Sequence, residues 1–258
     1  MTWRWIPPLT ADGATQMALD RWMLQQLSEG GGPILRLYRW SRPTLSLGAH
    51  QRRLESHWPA LVRQGVIELV RRPSGGRAVL HGGGELTYAL ACLPSSPRRL
   101  EAYGQACRWL QGAFAALGQP LHFGDAELRR AQARSSCFAT GTAADLLQAD
   151  GAKRIGSAQL WRGPALLQHG SLLLQPDAQL WRTVFGEEPP HLQPLADGGL
   201  RHKDLVQQLR AAAERDLCGG PLREQALSPA EWEAVQRIRQ LQPELDQGSR
   251  LVCIERAT

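Results

Sequence analysis

The residues best suited to chemistry gather in one stretch, Arg71-Arg72-Pro73-Ser74-Gly75-Gly76-Arg77-Ala78-Val79-Leu80-His81, followed by Gly82-Gly83-Gly84 and Glu85-Leu86-Thr87-Tyr88. An apolar run from Val66 to Val70 leads in, and another from Leu86 to Leu93 leads out. Two strands joined through a glycine-rich, cationic turn can bring backbone N–H groups against a ligand with no Cβ in the way. For a lone Gly-Gly pair, an arginine-flanked surface hairpin would be the plainer reading. This pattern is longer and more particular than that. Cys137 is the second candidate. It follows a polar, arginine-rich segment and lies outside any apolar helical stripe, and on its own it reads as a strand-edge core cysteine.

Lys153 is the third candidate. Of the 30 lysines and arginines, Lys153 and Lys203 alone are lysine, so a lysine that persists asks for a local reason. Its own position, at the start of a hairpin strand, also fits an ordinary solvated cation.

These groups need elements to carry them. Residues 13–28 have helical periodicity, with Ala14, Met17, Ala18 and Leu24 on one stripe and enough further apolar side chains to be largely buried. Ile34 to Tyr38 and Thr44 to Leu47 read as a strand pair, and Gly48-Ala49-His50-Gln51 as a turn and helix start. Residues 53–64 look helical, with Pro59 working against one unbroken helix. Leu86 to Cys92 is a buried strand. The helix carrying Tyr103, Cys107, Leu110, Phe114 and Leu117 ends at Gly118, which places Cys107 in the packing. Residues 119–133 read as a surface loop. Asp145 to Ala149 and Lys153 to Leu160, around Asp150-Gly151, form a hairpin, and Ala165 to Leu174 a further strand. Beyond Gly186, prolines and charges precede two amphipathic helices, His202 to Leu217 and Ser228 to Leu241, the second with a Ser228/Glu231 start signal. Arg250 to Glu255 reads as a returning strand.

Composition narrows the class. At 258 residues the chain has room for one large domain with an appendage, and its apolar content is that of a globular protein. No apolar run approaches the ~20 residues of a membrane span, and no signal-peptide core follows Met1, so a cytoplasmic protein is expected. Five widely spaced cysteines contain no C-x-x-C pair and imply neither a zinc site nor a disulfide framework. The net charge of +6 suits an acidic partner. The nine tryptophans are scattered rather than interleaved with a basic stripe, which argues against nucleic acid.

The pattern R-R-x-S-G-G-R-A-V-L-H with E-L-T-Y, joined by Lys153-Arg154-Ile155-Gly156-Ser157-Ala158-Gln159 and Gln168-His169-Gly170-Ser171, resembles the lipoate–protein ligase and octanoyltransferase family, relatives of the biotin–protein ligases. The resemblance covers roughly residues 14–185. One departure is Gly82-Gly83-Gly84, where members often carry an acid just after the histidine. The resemblance implies an α+β fold, a mixed and largely antiparallel sheet flanked by helices. Residues 1–186 would form the catalytic domain and 187–258 a small helical extension packed on it. It also implies that Arg71, Arg72, Ser74, Gly75, Gly76, Arg77 and His81 line the acyl site, with Gly156, Ser157, Ala158, His169 and Gly170 beside them.

A Cys-Phe just upstream of the K-x-x-G-S-A-Q hairpin marks the octanoyltransferase branch, and Cys137-Phe138 matches it. There the cysteine accepts the acyl group, and Lys153 would favour its thiolate and the developing oxyanion. The resemblance therefore implies transfer of octanoyl from acyl carrier protein, through a thioester on Cys137, to a lysine of a lipoyl domain or glycine-cleavage H-type protein. No cofactor is needed for that route. The alternative is a lipoate–protein ligase, using ATP and Mg²⁺ to form an acyl adenylate. A lower alternative is a non-catalytic basic binding module on the same fold. A monomer or weak dimer is expected.

Overall fold

The computed structural model describes residues 2–124, 145–195 and 202–241. Its central strand is β6 (Glu85–Cys92), in which every residue is buried. A continuous run of this kind is what a strand flanked on both edges and covered on both faces requires. On one side it pairs antiparallel with β10 (Ala165–Leu173), followed by β9 (Lys153–Arg162), β8 (Leu146–Leu147) and β7 (His122–Phe123). On the other it pairs antiparallel with β2 (Ile34–Trp40). Beyond β2 lie β1 (Arg4–Ala11) and β11 (Arg223–Glu224), both in parallel register, completing eight strands among the described residues.

The strand β1 was not expected from its Pro7-Pro8 pair. The register shifts between Ile6 and Leu9, so the two residues without an N–H sit where the ladder is interrupted. Ile34–Tyr38 and Thr44–Leu47 were expected to pair with each other. Both are strands, but they do not pair. The edges of β2 are taken by β1 and β6, and β3 (Thr44–Leu47) instead centres a smaller sheet between β4 (Glu68–Arg71) and β5 (Val79–His81). The helix expected over 53–64 shortens to α2 (Trp58–Arg63), which begins at the Pro59 turn.

Side-chain alternation along the strands divides the large sheet into two chemically different faces. Leu86, Tyr88 and Leu90 point with Leu35 and Leu37 into an apolar core under α3 (Arg99–Ala116) and α5 (His202–Ala213), where Leu110, Phe114, Leu205 and Leu209 close it. The opposite face lies under α1 (Gly13–Ser28) and α6 (Pro229–Leu241), and there β6 presents Ala89 and Ala91. Those small side chains leave room for Met17, Leu19 and Met23 of α1 to pack closely. Asp12 caps α1 through Thr15 N–H at 2.8 Å. The Ser228/Glu231 signal at α6 is realised reciprocally, with bonds of 2.7 and 3.3 Å. A third core cluster joins the small sheet, α2 and α4 (Ala178–Phe185) around Trp58 and Trp181. The expected helices at the C-terminal end are present, and the strand expected at Arg250–Glu255 lies outside the described residues. Among the described residues no helix is long and apolar enough to cross a membrane.

Candidate active site

The face under α1 carries the polar side chains. Asp20, on the buried side of α1, is fully enclosed, and three groups converge on its carboxylate. Arg36 of β2 donates to it at 2.5 Å, the Tyr38 hydroxyl at 3.2 Å, and His169 of β10 meets it through Nδ1 at 2.6 Å. Burial alone would raise the carboxyl pKa, but Arg36 and His169 together outweigh it, and Asp20 stays ionised below the usual carboxylate range. The other ring nitrogen of His169, Nε2, lies 2.5 Å from Ser74 Oγ.

A second imidazole is held in the same manner. His81 ends β5, stacks on Trp40 with ring centroids 4.0 Å apart, and meets Glu85 through Nδ1 at 3.3 Å. Burial pushes its pKa down against the pull of Glu85, so the ring is neutral. Nδ1–H then donates to Glu85, and Nε2 accepts from Ser46 Oγ–H at 2.8 Å. Thr87 (2.9 Å) and Ser171 also donate to Glu85. The acid missing directly after His81 is therefore supplied four residues on, across the three glycines.

Both imidazoles face one cavity of about 60 Å³ between the α1 face and the small sheet. Of the residues expected at the site, Arg72, Gly75, Gly76 and His81 line it from one side. Gly156, Ser157, Ala158, His169 and Gly170 line it from the other. Segments far apart in the chain thus share one cavity. Ser74 sits just behind, on the Nε2 of His169.

The two arginines preceding the turn act on backbone. Arg71 donates to the carbonyls of Gly48 and Gln51, both at 2.8 Å, which ties the 48–51 turn to β4. Arg72 donates to Ser46 O at 2.7 Å, Gly75 O at 2.8 Å and Arg77 O at 2.6 Å, bracing the glycine turn from inside. Arg71 and Arg77 do not line the cavity. Gly76 has φ +97°, and a Cβ there would stand 2.8 Å from Arg72 Nη2. Gly76→Val is therefore expected to strain the turn by about 1–3 kcal/mol and displace the Arg72 brace. Acyl transfer should fall at least tenfold in protein that still melts cooperatively, checked by calorimetry beside a transfer assay. Parental activity in the folded variant would remove this turn from the site.

Lys153 is not the solvated hairpin cation that its position also allowed. It is 3% exposed, and its Nζ lies 2.9 Å from Asp145 Oδ1. It does not line the cavity. Cys137 lies outside the described residues. Cys107 is buried one hydroxyl behind the cavity wall. Gln168 donates to its sulfur at 3.2 Å and to the Tyr88 hydroxyl at 2.7 Å, and that hydroxyl pairs with Ser157 Oγ at 2.8 Å. Burial pushes the Cys107 thiol up to about 11 and that of Cys92 up to about 12, as expected of packing cysteines. Among the described residues, no group of three or more His, Cys, Asp or Glu side chains is placed to hold a metal ion.

Sequence reasoning missed Asp20, Ser46 and Glu85. A signal existed for the two acids. Asp20 stands among apolar residues of a largely buried helix, and Glu85 opens a wholly buried strand. A buried acid is rare unless paired.

A mixed sheet whose polar face anchors two imidazoles on buried carboxylates, beneath an arginine-braced glycine turn, defines an α+β enzyme with a glycine-walled pocket. The chain matches the family described as lipoyl protein ligase A/B catalytic domain over residues 12–215, and it belongs to that family. Octanoyltransferase LipM of Carboxydothermus hydrogenoformans is 37% identical over 189 residues, covering 71% of this chain and 69% of that protein. Octanoyltransferase LipM of Symbiobacterium thermophilum is 37% identical over 190 residues, covering 69% and 67%. The structure of a putative lipoate protein ligase from T. acidophilum with bound lipoic acid superposes with a TM-score of 0.76 at 19% identity, over 93% of this chain and 95% of that one. This last likeness is one of fold, and it agrees with the architecture expected from the motifs.

Proposed function

We infer that this chain is an octanoyltransferase that carries an octanoyl group to a lysine of a lipoyl domain or glycine-cleavage H-type protein. The observation that carries the reading is the single cavity walled by both glycine-bearing segments, in a chain 37% identical to two octanoyltransferases. The donor is octanoyl-acyl carrier protein, whose thioester arrives already activated, so the reaction draws on no ATP. Cys137 Sγ attacks the thioester carbonyl. A new C–S bond forms, the phosphopantetheine thiol leaves, and the acyl group is held at nearly the same energy. The acceptor amine then attacks the enzyme thioester, forms the amide and releases the Cys137 thiol, which is the downhill step. Lys153 is the cation that favours the thiolate. The net charge of +6 suits the acidic carrier and acceptor proteins.

Intact mass after incubation with octanoyl-acyl carrier protein tests this reading. One octanoyl adduct is expected, removable by neutral hydroxylamine, absent from Cys137→Ala and retained in Cys92→Ser and Cys107→Ser. An adduct that survives in Cys137→Ala would show the nucleophile to be another residue. Robust ATP–pyrophosphate exchange with octanoate or lipoate would replace the transferase with a ligase.

A further inference from the structure

We propose that Asp20, His169 and Ser74 form a relay that takes the proton from the acceptor lysine as its amine attacks the enzyme-bound acyl group. The proposal rests on the acyl-transfer reading above. It assigns Asp20 as a positioning residue and the Ser74 hydroxyl as the group that meets the amine.

Proton balance says which half of the reaction needs such a relay. In the first half one thiol replaces another on the carbonyl, and the proton lost by the attacking sulfur matches the one gained by the departing sulfur. In the second half a lysine enters as an ammonium, with an ordinary pKa of about 10.4, and ends as a neutral amide. It loses two protons. One goes to solvent when the free amine forms. The other must leave the attacking nitrogen as the N–C bond forms and the C–S bond breaks, and it ends on the departing thiolate. A base beside the carbonyl is needed for that second proton, and such a base typically contributes about 10²–10⁴-fold in rate.

The geometry supplies one. Asp20 Oδ2 to His169 Nδ1 is 2.6 Å, and His169 Nε2 to Ser74 Oγ is 2.5 Å. In the neutral ring a proton on Nδ1 faces the Asp20 carboxylate, which leaves Nε2 to accept from Ser74 O–H. Ser74 can take the amine proton as it passes its own to Nε2. The resulting imidazolium is stabilised by the carboxylate beneath it and returns its proton to the leaving thiolate. All three side chains are buried, which strengthens each interaction. Ser74 is followed by Gly75 and Gly76, which line the cavity with His169, so the relay lies directly against the cavity wall.

The neighbouring Ser46–His81–Glu85 array has the same order of groups but is less suited to the role. Arg72 Nη1 donates to Ser46 Oγ at 3.2 Å, and a fixed guanidinium beside that oxygen opposes its taking a further proton. Asp20 on α1 meets His169 directly and also holds Arg36 and Tyr38 of β2, while His81, with Arg72 and Glu85 acting on it, faces His169 electrostatically.

The test separates the half-reactions. Acyl-enzyme is made with octanoyl-acyl carrier protein, isolated, and mixed in single turnover with a lipoyl domain or with hydroxylamine, a nucleophile already neutral at pH 7. Ser74→Ala and His169→Ala are loaded with octanoyl to completion before mixing, so that the second half-reaction is read by itself. Both should lose at least 100-fold in octanoylation of the lipoyl domain while hydroxylamine cleavage changes only a few-fold. Added imidazole should restore part of the His169→Ala loss. Asp20→Asn should behave like His169→Ala where it folds. The other two variants decide the matter if it does not. Parental transfer to the lipoyl domain in Ser74→Ala and His169→Ala would overturn the relay. So would equal loss toward both nucleophiles with no imidazole rescue. Failure of the parent protein to form any acyl-enzyme would instead overturn the thioester reading on which the relay rests.

Discussion

Lys153→Arg is expected to fold and to lose roughly a hundredfold or more in acyl transfer, while Lys203→Arg stays at the parental rate. The chain uses arginine almost everywhere a cation is needed, so an arginine at 153 would pass unnoticed if charge alone mattered. The structure gives two reasons why it should not. Lys153 is 3% exposed and paired with Asp145 at 2.9 Å, so the larger guanidinium has to displace packed neighbours at a cost of about 1–3 kcal/mol. An ammonium is also a compact point charge on a flexible stem, whereas a guanidinium fixes its donors in a planar fork. In the proposed reaction the Lys153 ammonium serves the thiolate, and a misplacement on the order of 1 Å can cost about a hundredfold in rate. Lys203 is exposed at the start of α5, where neither constraint applies. Transfer rates to a lipoyl domain, measured side by side with melting curves, check both variants. Equal and near-parental rates would show that Lys153 supplies only a buried structural charge.

Arg36→Met should cost about 3–5 kcal/mol of stability, because it leaves the enclosed Asp20 carboxylate without the guanidinium 2.5 Å away. That is a large share of the ~5–15 kcal/mol that holds a typical domain together. The pH dependence carries a sign that can be checked. The Asp20 pKa is lowered in the fold, so its contribution is fully present above the unfolded value of about 3.9. It is lost as pH falls through the folded value, which lies below that. Urea unfolding of the parent protein should therefore weaken in acid as Asp20 is protonated. The gap between parent and Arg36→Met should narrow over the same range, since a protonated Asp20 no longer needs its cation. A gap that stayed constant from pH 6 down to pH 2 would show that Arg36 stabilises through packing on Tyr38, whose ring lies 3.8 Å below its guanidinium carbon, rather than through charge.

Much of the fold was legible because its signals are local. Helical periodicity set α1 and α3, the unbroken apolar run set β6, and Asp150-Gly151 set the β8–β9 hairpin. The glycine turn after Arg71-Arg72 and the Gly156 and His169 segments could be recognised by pattern, since each is a short run whose backbone demands particular residues. The tertiary structure decided which partners they met. Ile34–Tyr38 and Thr44–Leu47 are both strands, yet strand character says nothing about which edge is free, and β1 and β6 had taken both edges of β2. The prolines of β1 hid a strand because the residues that break its ladder are also the ones that usually deny one. Arg71 and Arg72 were legible as cations, but their guanidinium groups brace backbone carbonyls. The acids beneath the histidines were furthest from reach. Asp20 and His169 are 149 residues apart, and their bond exists because Ala89 and Ala91 let α1 settle close against the sheet. By itself the sequence determined which backbone turns and ionisable groups exist. The tertiary structure decided which carboxylate anchors which imidazole, because a buried charge is stable only where packing brings its partner to it.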